Sequence, residues 1–519
     1  MQPAHAALDA SVVMPLAGDD SDAKVATIAR LGVLTSPDAI ALLKGLRDEA
    51  VYVTGEGRVL VADAAGAAFD PITDEKLALP EGADGVTINN RLRGALDAAE
   101  AGLQLLSPEG ATRRKAAKSL QQSAAAEQLP LIQRALANER DGETRDTLEA
   151  IASMLELKSP DASLRRAAAE HLASSANASV RPLLAALAEA DAQGRYAEPD
   201  ANVRSAAALS LRQVDSRLAR AEWLGNAFYG ISLASILLLA ALGLAITFGL
   251  MGIINMAHGE LLMIGAYATY VVQAGFRHFF PQAIEWYLIA ALPIAFIVAA
   301  AIGMALERSV IRWLYGRPLE TLLATWGISL ILMQTVRSLF GAQNVEVSNP
   351  AWMSGGITVL GGAVLAWNRI VIVGFAALVI LLVWLLLNRT RLGLFVRAVT
   401  QNRRMADCVG VPTGRVDMLT FGLGSGIAGL GGLALSQLGN VGPDLGQSYI
   451  VDSFMVVVLG GVGQLAGTVI AALGLGEVNK FLEPVAGAVL AKIMILAVVV
   501  LFIQKRPQGL FALKGRSAD

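Results

Sequence analysis

The chain has 519 residues, 54% of them hydrophobic, a formal net charge of -2 and one cysteine. The near-neutral balance excludes a nucleic-acid binder built on a basic field, and the lone Cys408 excludes an intrachain disulfide. The mean hydropathy of +0.53 is an average over two unlike halves. Residues 1 to about 221 are rich in Ala, Arg, Asp and Glu, and from Leu224 onward the chain is a series of apolar runs long enough to span a bilayer.

Met1 is followed by neither the basic nor the apolar region of a signal peptide, yet Ala4-His5-Ala6 has the small-x-small form of a cleavage site. The expectation is an export signal that begins upstream of Met1. Residues 23–48 read as a helical pair, with Ser36-Pro37-Asp38 opening the second helix. The stretch 51–61 reads as a β-hairpin. Three segments then align without gaps, starting at Gly110, Ala162 and Ala201. Each has Arg at its fourth position (Arg113, Arg165, Arg204), Ala at its seventh and Leu at its eleventh. The last two starts lie 39 residues apart, near the period of HEAT-type helical pairs. Residues 1–221 are thus expected to form a soluble HEAT-like helical-repeat domain, serving as a binding scaffold or a spacer. His5 and His171 are isolated, and no nucleophile–base pair, metal-ligand cluster or phosphate loop stands out. The expectation is no enzyme, no cofactor and no metal.

Residues 222–510 are expected to form a membrane domain of about eight to nine spans. These are placed near 224–250, 252–274, 285–306, 319–340, 368–388 and 416–438, then a broken region 449–482, then 485–503. The loops 307–318 and 389–415 carry Arg308, Arg312, Arg317, Arg389, Arg391, Arg397, Arg403, Arg404 and Arg415, which assigns both to the cytoplasm. Counting back puts residue 222 outside, and the domain before it in the periplasm. As one helix, 449–482 would measure about 51 Å, too long for a core of about 30 Å. Gly460-Gly-Val-Gly463 is placed to break it, and two pieces put the basic tail (Lys505, Arg506, Lys514, Arg516) inside.

The other interruption, Gly252-Ile-Ile-Asn-Met-Ala-His-Gly-Glu260, puts Asn255, His258 and Glu260 at membrane depth, where ionisable groups are costly. They read either as part of a solute path or as caps and local pairs of a broken helix. Asp452 and Gln464 flank the second break and carry the same two readings. The glycines at 422, 424, 426, 429, 431 and 432 read as helix-packing positions. The loop 389–415 contains a short amphipathic helix bounded by Gly393 and Gly410, with Leu394, Ala398 and Met405 for one side and Arg397, Gln401 and Arg404 for the other. A transporter driven by a separate ATPase needs such a helix to dock on it.

These runs resemble a known family. Gly249-Leu-Met-Gly-Ile-Ile-Asn-Met-Ala-His-Gly-Glu-Leu-Leu-Met-Ile-Gly-Ala-Tyr267 resembles the first signature of the LivH-like permeases of branched-chain amino acid and urea ABC importers. Arg397-Ala-Val-Thr-Gln-Asn-Arg-Arg-Met-Ala406 with Gly410 resembles their ATPase-coupling loop, and Val458-Leu-Gly-Gly-Val-Gly-Gln-Leu-Ala-Gly467 a third signature. Leu323-Ala-Thr-Trp-Gly-Ile-Ser-Leu-Ile-Leu332, Phe340-Gly-Ala-Gln-Asn-Val345 and the long extension are similar to the urea (UrtB-like) branch, and Thr325 is placed with the substrate path. The absent signal peptide departs from that pattern. The resemblance covers about 224–510 and implies an all-α, polytopic permease with broken helices, in the inner membrane. It implies an importer of urea made with a second, LivM-like permease subunit, two ATP-binding subunits and a periplasmic binding protein. The coupling residues it implies are Arg397, Ala398, Gln401, Asn402, Met405 and Gly410. The alternatives are a branched-chain amino acid permease, a passive solute channel, or a scaffold that uses its spans only as an anchor.

Overall fold

The computed structural model describes residues 8–63, 67–80, 82–175, 177–359 and 363–511, the side chain of Leu250 excepted. Ala4-His5-Ala6, Lys514 and Arg516 lie outside the described residues. The chain divides into two compact units, Met1–Ala219 and Arg220–Asp519.

The first unit opens with α1 (Ala10–Val13), α2 (Ser21–Val33) and α3 (Pro37–Arg47). Ser36 Oγ accepts the Ala39 N–H at 3.3 Å, which caps α3 as Ser-Pro-Asp predicts. A five-stranded antiparallel sheet follows, in the order β4-β3-β2-β1-β5. Its strands are β1 (Val51–Val53), β2 (Val59–Ala62), β3 (Ala67–Phe69), β4 (Lys76–Ala78) and β5 (Asp84–Gly85). The hairpin read at 51–61 is its centre, with Val51 opposite Val61. The outer strands have two or three residues each, too short for a period to show. Leu42, Leu43 and Leu46 of α3 and Val59 and Val61 of β2 share one apolar core.

Helices α4 (Asn90–Gln104), α5 (Gly110–Ser123), α6 (Leu129–Asn138), α7 (Gly142–Glu156), α8 (Ala162–Leu172), α9 (Val180–Ala188) and the start of α10 (Ala201–Met251) complete the unit. They bury two successive cores, the first from α4 to α7 and the second from α7 to α10. The aligned positions behave alike. Ala116, Ala168 and Ala207 are buried, as are Leu120, Leu172 and Leu211. Arg113 Nη1 donates to the carbonyls of Ser107 and Pro108, Arg165 Nη1 to Ser159 and Pro160, and Arg204 Nη1 to Glu198 and Pro199. Each guanidinium serves turn carbonyls ahead of its own helix. Arg113 and Arg165 also grip buried carboxylates with two N–H groups each: Glu139 at 2.8 and 3.0 Å, Glu198 at 2.8 and 2.8 Å. The guanidinium of Arg113 holds the Glu139 carboxyl down at about 2, against the upward push of burial. Sequence repetition here is repetition of a specific fastening.

The second unit contains the rest of α10, then α11 (His258–Phe279), α12 (Tyr287–Ser309), α13 (Pro318–Phe340) and a hairpin of β6 (Gly356–Val359) and β7 (Ala363–Ala366). It continues with α14 (Trp367–Arg389), α15 (Arg391–Gln401), α16 (Arg403–Cys408), α17 (Thr413–Ser436), α18 (Leu445–Gly460), α19 (Leu465–Ala486) and α20 (Ala488–Lys505). Among the described residues, 7 helices are long and apolar enough to cross a membrane, against the eight to nine spans expected. Of the expected spans, α11 carries too much polarity in His258, Glu260, Gln273, Arg277 and His278, and α18 has only 16 residues. The span expected at 252–274 starts at His258, because 252–257 is not helical. The long element at 449–482 is broken as expected, between Gly460 and Leu465.

The glycines of α17 do pack helices closely. A Cβ on Gly432 would lie 1.8 Å from the Leu262 carbonyl oxygen, and one on Gly429 2.6 Å from that of Ala295. Without side chains there, α11 and α12 seat directly on α17. The loops join at opposite ends. Arg403 pairs with Asp417, and its guanidinium sits 4.6 Å from the Tyr315 ring centre, so the two basic loops share one end. At another point Val345 and Val441 exchange backbone hydrogen bonds of 2.8 Å, joining the loops 341–367 and 439–448.

Candidate functional site

The site is built at the first helix break. Helix α10 ends at Met251, and Gly252 turns the chain with φ +69°, a left-handed conformation that suits glycine. The chain then runs back along α10. His258 Nε2 lies 2.9 Å from the Ala240 carbonyl, to which it donates. Ala240 precedes the end of α10 by eleven residues, about 16 Å along the axis. Helix α11 therefore starts part of the way up its neighbour, with its first turn inside the bundle.

Residues from the break and from α13 satisfy part of the exposed backbone. Asn255 Oδ1 accepts the Ala257 N–H at 3.0 Å. Thr325 Oγ1 accepts the Met256 N–H at 3.1 Å and passes its own proton to the Thr321 carbonyl at 2.8 Å. Glu260 Oε1 accepts the Ser329 hydroxyl at 2.9 Å. Asn255, His258, Glu260, Thr325 and Ser329 are all buried. Yet Asn255 Nδ2, His258 Nδ1 and Glu260 Oε2 have no partner among the described residues. Buried polar atoms are normally paired, and three unpaired ones within six residues leave hydrogen-bonding capacity unused.

Sequence reasoning missed Ser329. The available signal was its spacing from Thr325, four residues on and so on the same helical face. Asp452 does not join this group. It pairs with Lys492 Nζ at 3.0 Å across α18 and α20, beside Leu237, Asn479 and Ile495. Gln464 sits at the start of α19, in the second break, without capping that helix through its side chain. The two breaks nevertheless meet through backbone. A Cβ on Gly249, at the end of α10, would fall 2.3 Å from Gly463 Cα.

The loop 389–415 differs from the single helix expected between Gly393 and Gly410. It forms two helices, α15 and α16, broken at Asn402. Asn402 is extended (φ -153°, ψ 99°), and its Oδ1 accepts the Met405 N–H at 2.9 Å, so a local side-chain bond replaces helix continuation. The buried residues of these two helices are Gly393, Val396 and Ala406. Leu394 and Met405, expected together on an apolar side, are exposed at 57% and 62%. Arg397, Gln401 and Gly410 are also exposed and Ala398 half-buried, so this surface offers apolar and basic groups side by side. Arg403, named from the sequence only for its charge, fastens the loop to the bundle with Asp417, Tyr315 and Glu307, which the sequence reading did not name.

The family described as "Branched-chain amino acid transport system / permease component" matches residues 226–503. The chain is 28% identical over 287 residues to the high-affinity branched-chain amino acid transport system permease protein BraD of Pseudomonas aeruginosa, covering 54% of this chain and 93% of that protein. It is 29% identical over 297 residues to the corresponding LivH protein of Escherichia coli K12, covering 56% and 95%. A shorter stretch of 131 residues is 30% identical to the ribose import permease protein RbsC of Escherichia coli K12, covering 24% and 41%. No solved structure matches the chain. With more than half of its residues matched, the chain belongs to the branched-chain amino acid transport system permease family: a multi-pass ABC-type permease of the inner membrane and a transport component, not an enzyme.

Proposed function

We propose that this permease carries urea, as one of two permease subunits in an importer driven by two ATP-binding subunits and fed by a periplasmic binding protein. The observation that carries the reading is the set of unpartnered polar atoms on Asn255, His258 and Glu260. Urea is neutral, with four N–H donors and one carbonyl acceptor. A carboxylate oxygen of Glu260 suits its N–H groups, and the Asn255 amide suits its carbonyl. With Nε2 donating to Ala240, a neutral His258 presents Nδ1 as an acceptor, which suits a urea N–H and not the carboxylate of a zwitterion. Asp452 and Gln464 would then shape the path at the second break, not bind solute. On the loop, Arg397, Ala398, Gln401, Asn402, Met405 and Gly410 would form the seat for an ATP-binding subunit, with Leu394 and Met405 as apolar contacts.

The second reading, a branched-chain amino acid as cargo, is favoured by the branched-chain amino acid transport for which the BraD and LivH relatives are named. ATP-dependent uptake of labelled urea and of leucine by the reconstituted complex separates the two. Urea uptake alone is expected, and leucine uptake alone would sink the urea reading.

The helical unit before the membrane is read as a periplasmic HEAT-like scaffold, because the basic loops and span parity, with α11 counted as a crossing, put residue 222 outside. A membrane-impermeant thiol reagent on intact spheroplasts tests this with Ser174→Cys in a Cys408→Ser background. Labelling is expected without lysis, and labelling only after lysis would refute the placement.

A further inference from the structure

The 389–415 loop is tied to the bundle by a group with more buried negative charge than it has partners for. Asp417, at the start of α17, is buried, and Arg403 of α16 donates to its Oδ2. The same guanidinium lies over the Tyr315 ring at 4.6 Å. Tyr315 donates its hydroxyl to Glu307 Oε1 at 3.3 Å. Glu307, near the end of α12, is buried as well, and its Oε2 has no partner among the described residues. Arg308 and Arg312 lie within electrostatic range of Glu307, and so does Asp417. Two buried carboxylates, on α12 and α17, thus flank one tyrosine and one guanidinium that belongs to the loop.

This group borders the helix break directly. Tyr315 also packs on a small apolar cluster of Ile253, Ile311 and Phe421, with Met251 and Leu306 at its margin. Phe421 lies one turn after Asp417 on α17. Ile253 belongs to the break, two residues before Asn255. From there Met256 hydrogen-bonds to Thr325, four residues before the Ser329 that holds Glu260. An unbroken series of contacts runs from α16 to the candidate solute site.

We propose that Arg403 is the residue through which the loop moves the helix break, its guanidinium passing between the carboxylates of Asp417 and Glu307. Asp417 is its seat in this structure. The unpaired oxygen of Glu307 is the second seat, reached when α16 is displaced, with the Tyr315 ring as the surface it slides across. A buried carboxylate left half-satisfied costs free energy, so two such seats give the element two discrete arrangements instead of a continuum, which coupling between distant sites requires. Arg403 is a positioning residue and touches no solute. The inference rests on reading the loop as the seat of an ATP-binding subunit.

The test is solute moved per ATP hydrolysed in the reconstituted complex, with labelled urea and leucine as probes. Solute-stimulated ATP hydrolysis in the wild-type complex tests the loop reading itself. The variants test Arg403. Arg403→Ala is expected to assemble and hydrolyse ATP while solute per ATP falls about tenfold, and Arg403→Lys to recover most of it. Glu307→Gln leaves the Arg403–Asp417 pair in place, so a merely structural role predicts no change. The two-seat device predicts a fall of the same order. Should Arg403→Ala fail to assemble, Glu307→Gln decides alone. Wild-type coupling in Glu307→Gln overturns the proposal.

Discussion

The two helix breaks are made by different chemistry. At 461–464 the turn is a matter of backbone. Gly461 has φ +100°, and the ends are closed by backbone bonds, Gln464 N–H to the Gly461 carbonyl at 3.0 Å and Leu510 N–H to the Leu459 carbonyl at 2.9 Å. At 252–257 side chains do part of that work: Thr325 serves Met256, Asn255 serves Ala257, and His258 and Glu260 tie the new helix to α10 and α13. A glycine break needs only shape. A break held by polar side chains carries hydrogen-bonding groups into the bundle, and three of their atoms are left without partners among the described residues. The difference separates a hinge of packing from the proposed solute site.

The largest expected effect comes from forcing the two breaks apart. A side chain at Gly249 collides with Gly463 backbone, where nothing flexible can yield. Gly249→Val should cost about 3 kcal/mol or more and abolish assembled protein, as overpacking does at its worst. A normal melting temperature in detergent would show that the breaks do not touch.

Thr325→Val comes next. It removes the acceptor for the half-buried Met256 N–H while keeping the shape, at a cost of about 1–3 kcal/mol. Thr325→Ser should restore the wild-type melt. Equal melts for Val and Ser would mean that the first break, like the second, holds by backbone alone.

The smallest effects on stability should separate the breaks by function. Glu260→Gln is expected to lower uptake about tenfold, or about 1.4 kcal/mol, at unchanged expression. Asp452→Asn should change uptake less than about twofold, because Lys492 is half-exposed and can carry its charge outward. Equal losses in both variants would erase the distinction.

Much of the architecture was readable before any coordinates. The apolar runs, both interruptions and the repeated Arg-x-x-Ala spacing are local patterns, and local patterns survive in a linear reading. The break at Gly460-Gly-Val-Gly463 followed from length alone, since an unbroken helix would overrun the bilayer. Where the reading went astray, a competing local bond had won. The residue pattern of 389–415 points to one short amphipathic helix between Gly393 and Gly410, but Asn402 accepts the Met405 N–H and starts a second one. The five-stranded sheet was seen only at its centre, because its outer strands are too short to show alternation.

The linear order of residues is enough to show that the second half is a set of apolar helices interrupted at two glycine-bearing breaks, with basic loops grouped at one end. Apolar length and charge are summed along the chain, so no folding is needed to read them. Tertiary structure alone decided which polar residues work together. Ser329 joins Glu260 across 69 residues, Lys492 draws Asp452 away across 40, and Asp417 meets Arg403 across 14. A hydrogen bond acts over about 3 Å, and which groups come that close depends on how the helices pack. Nothing in the order of residues marks one serine, lysine or arginine as the partner until glycines such as Gly432 let the helices meet.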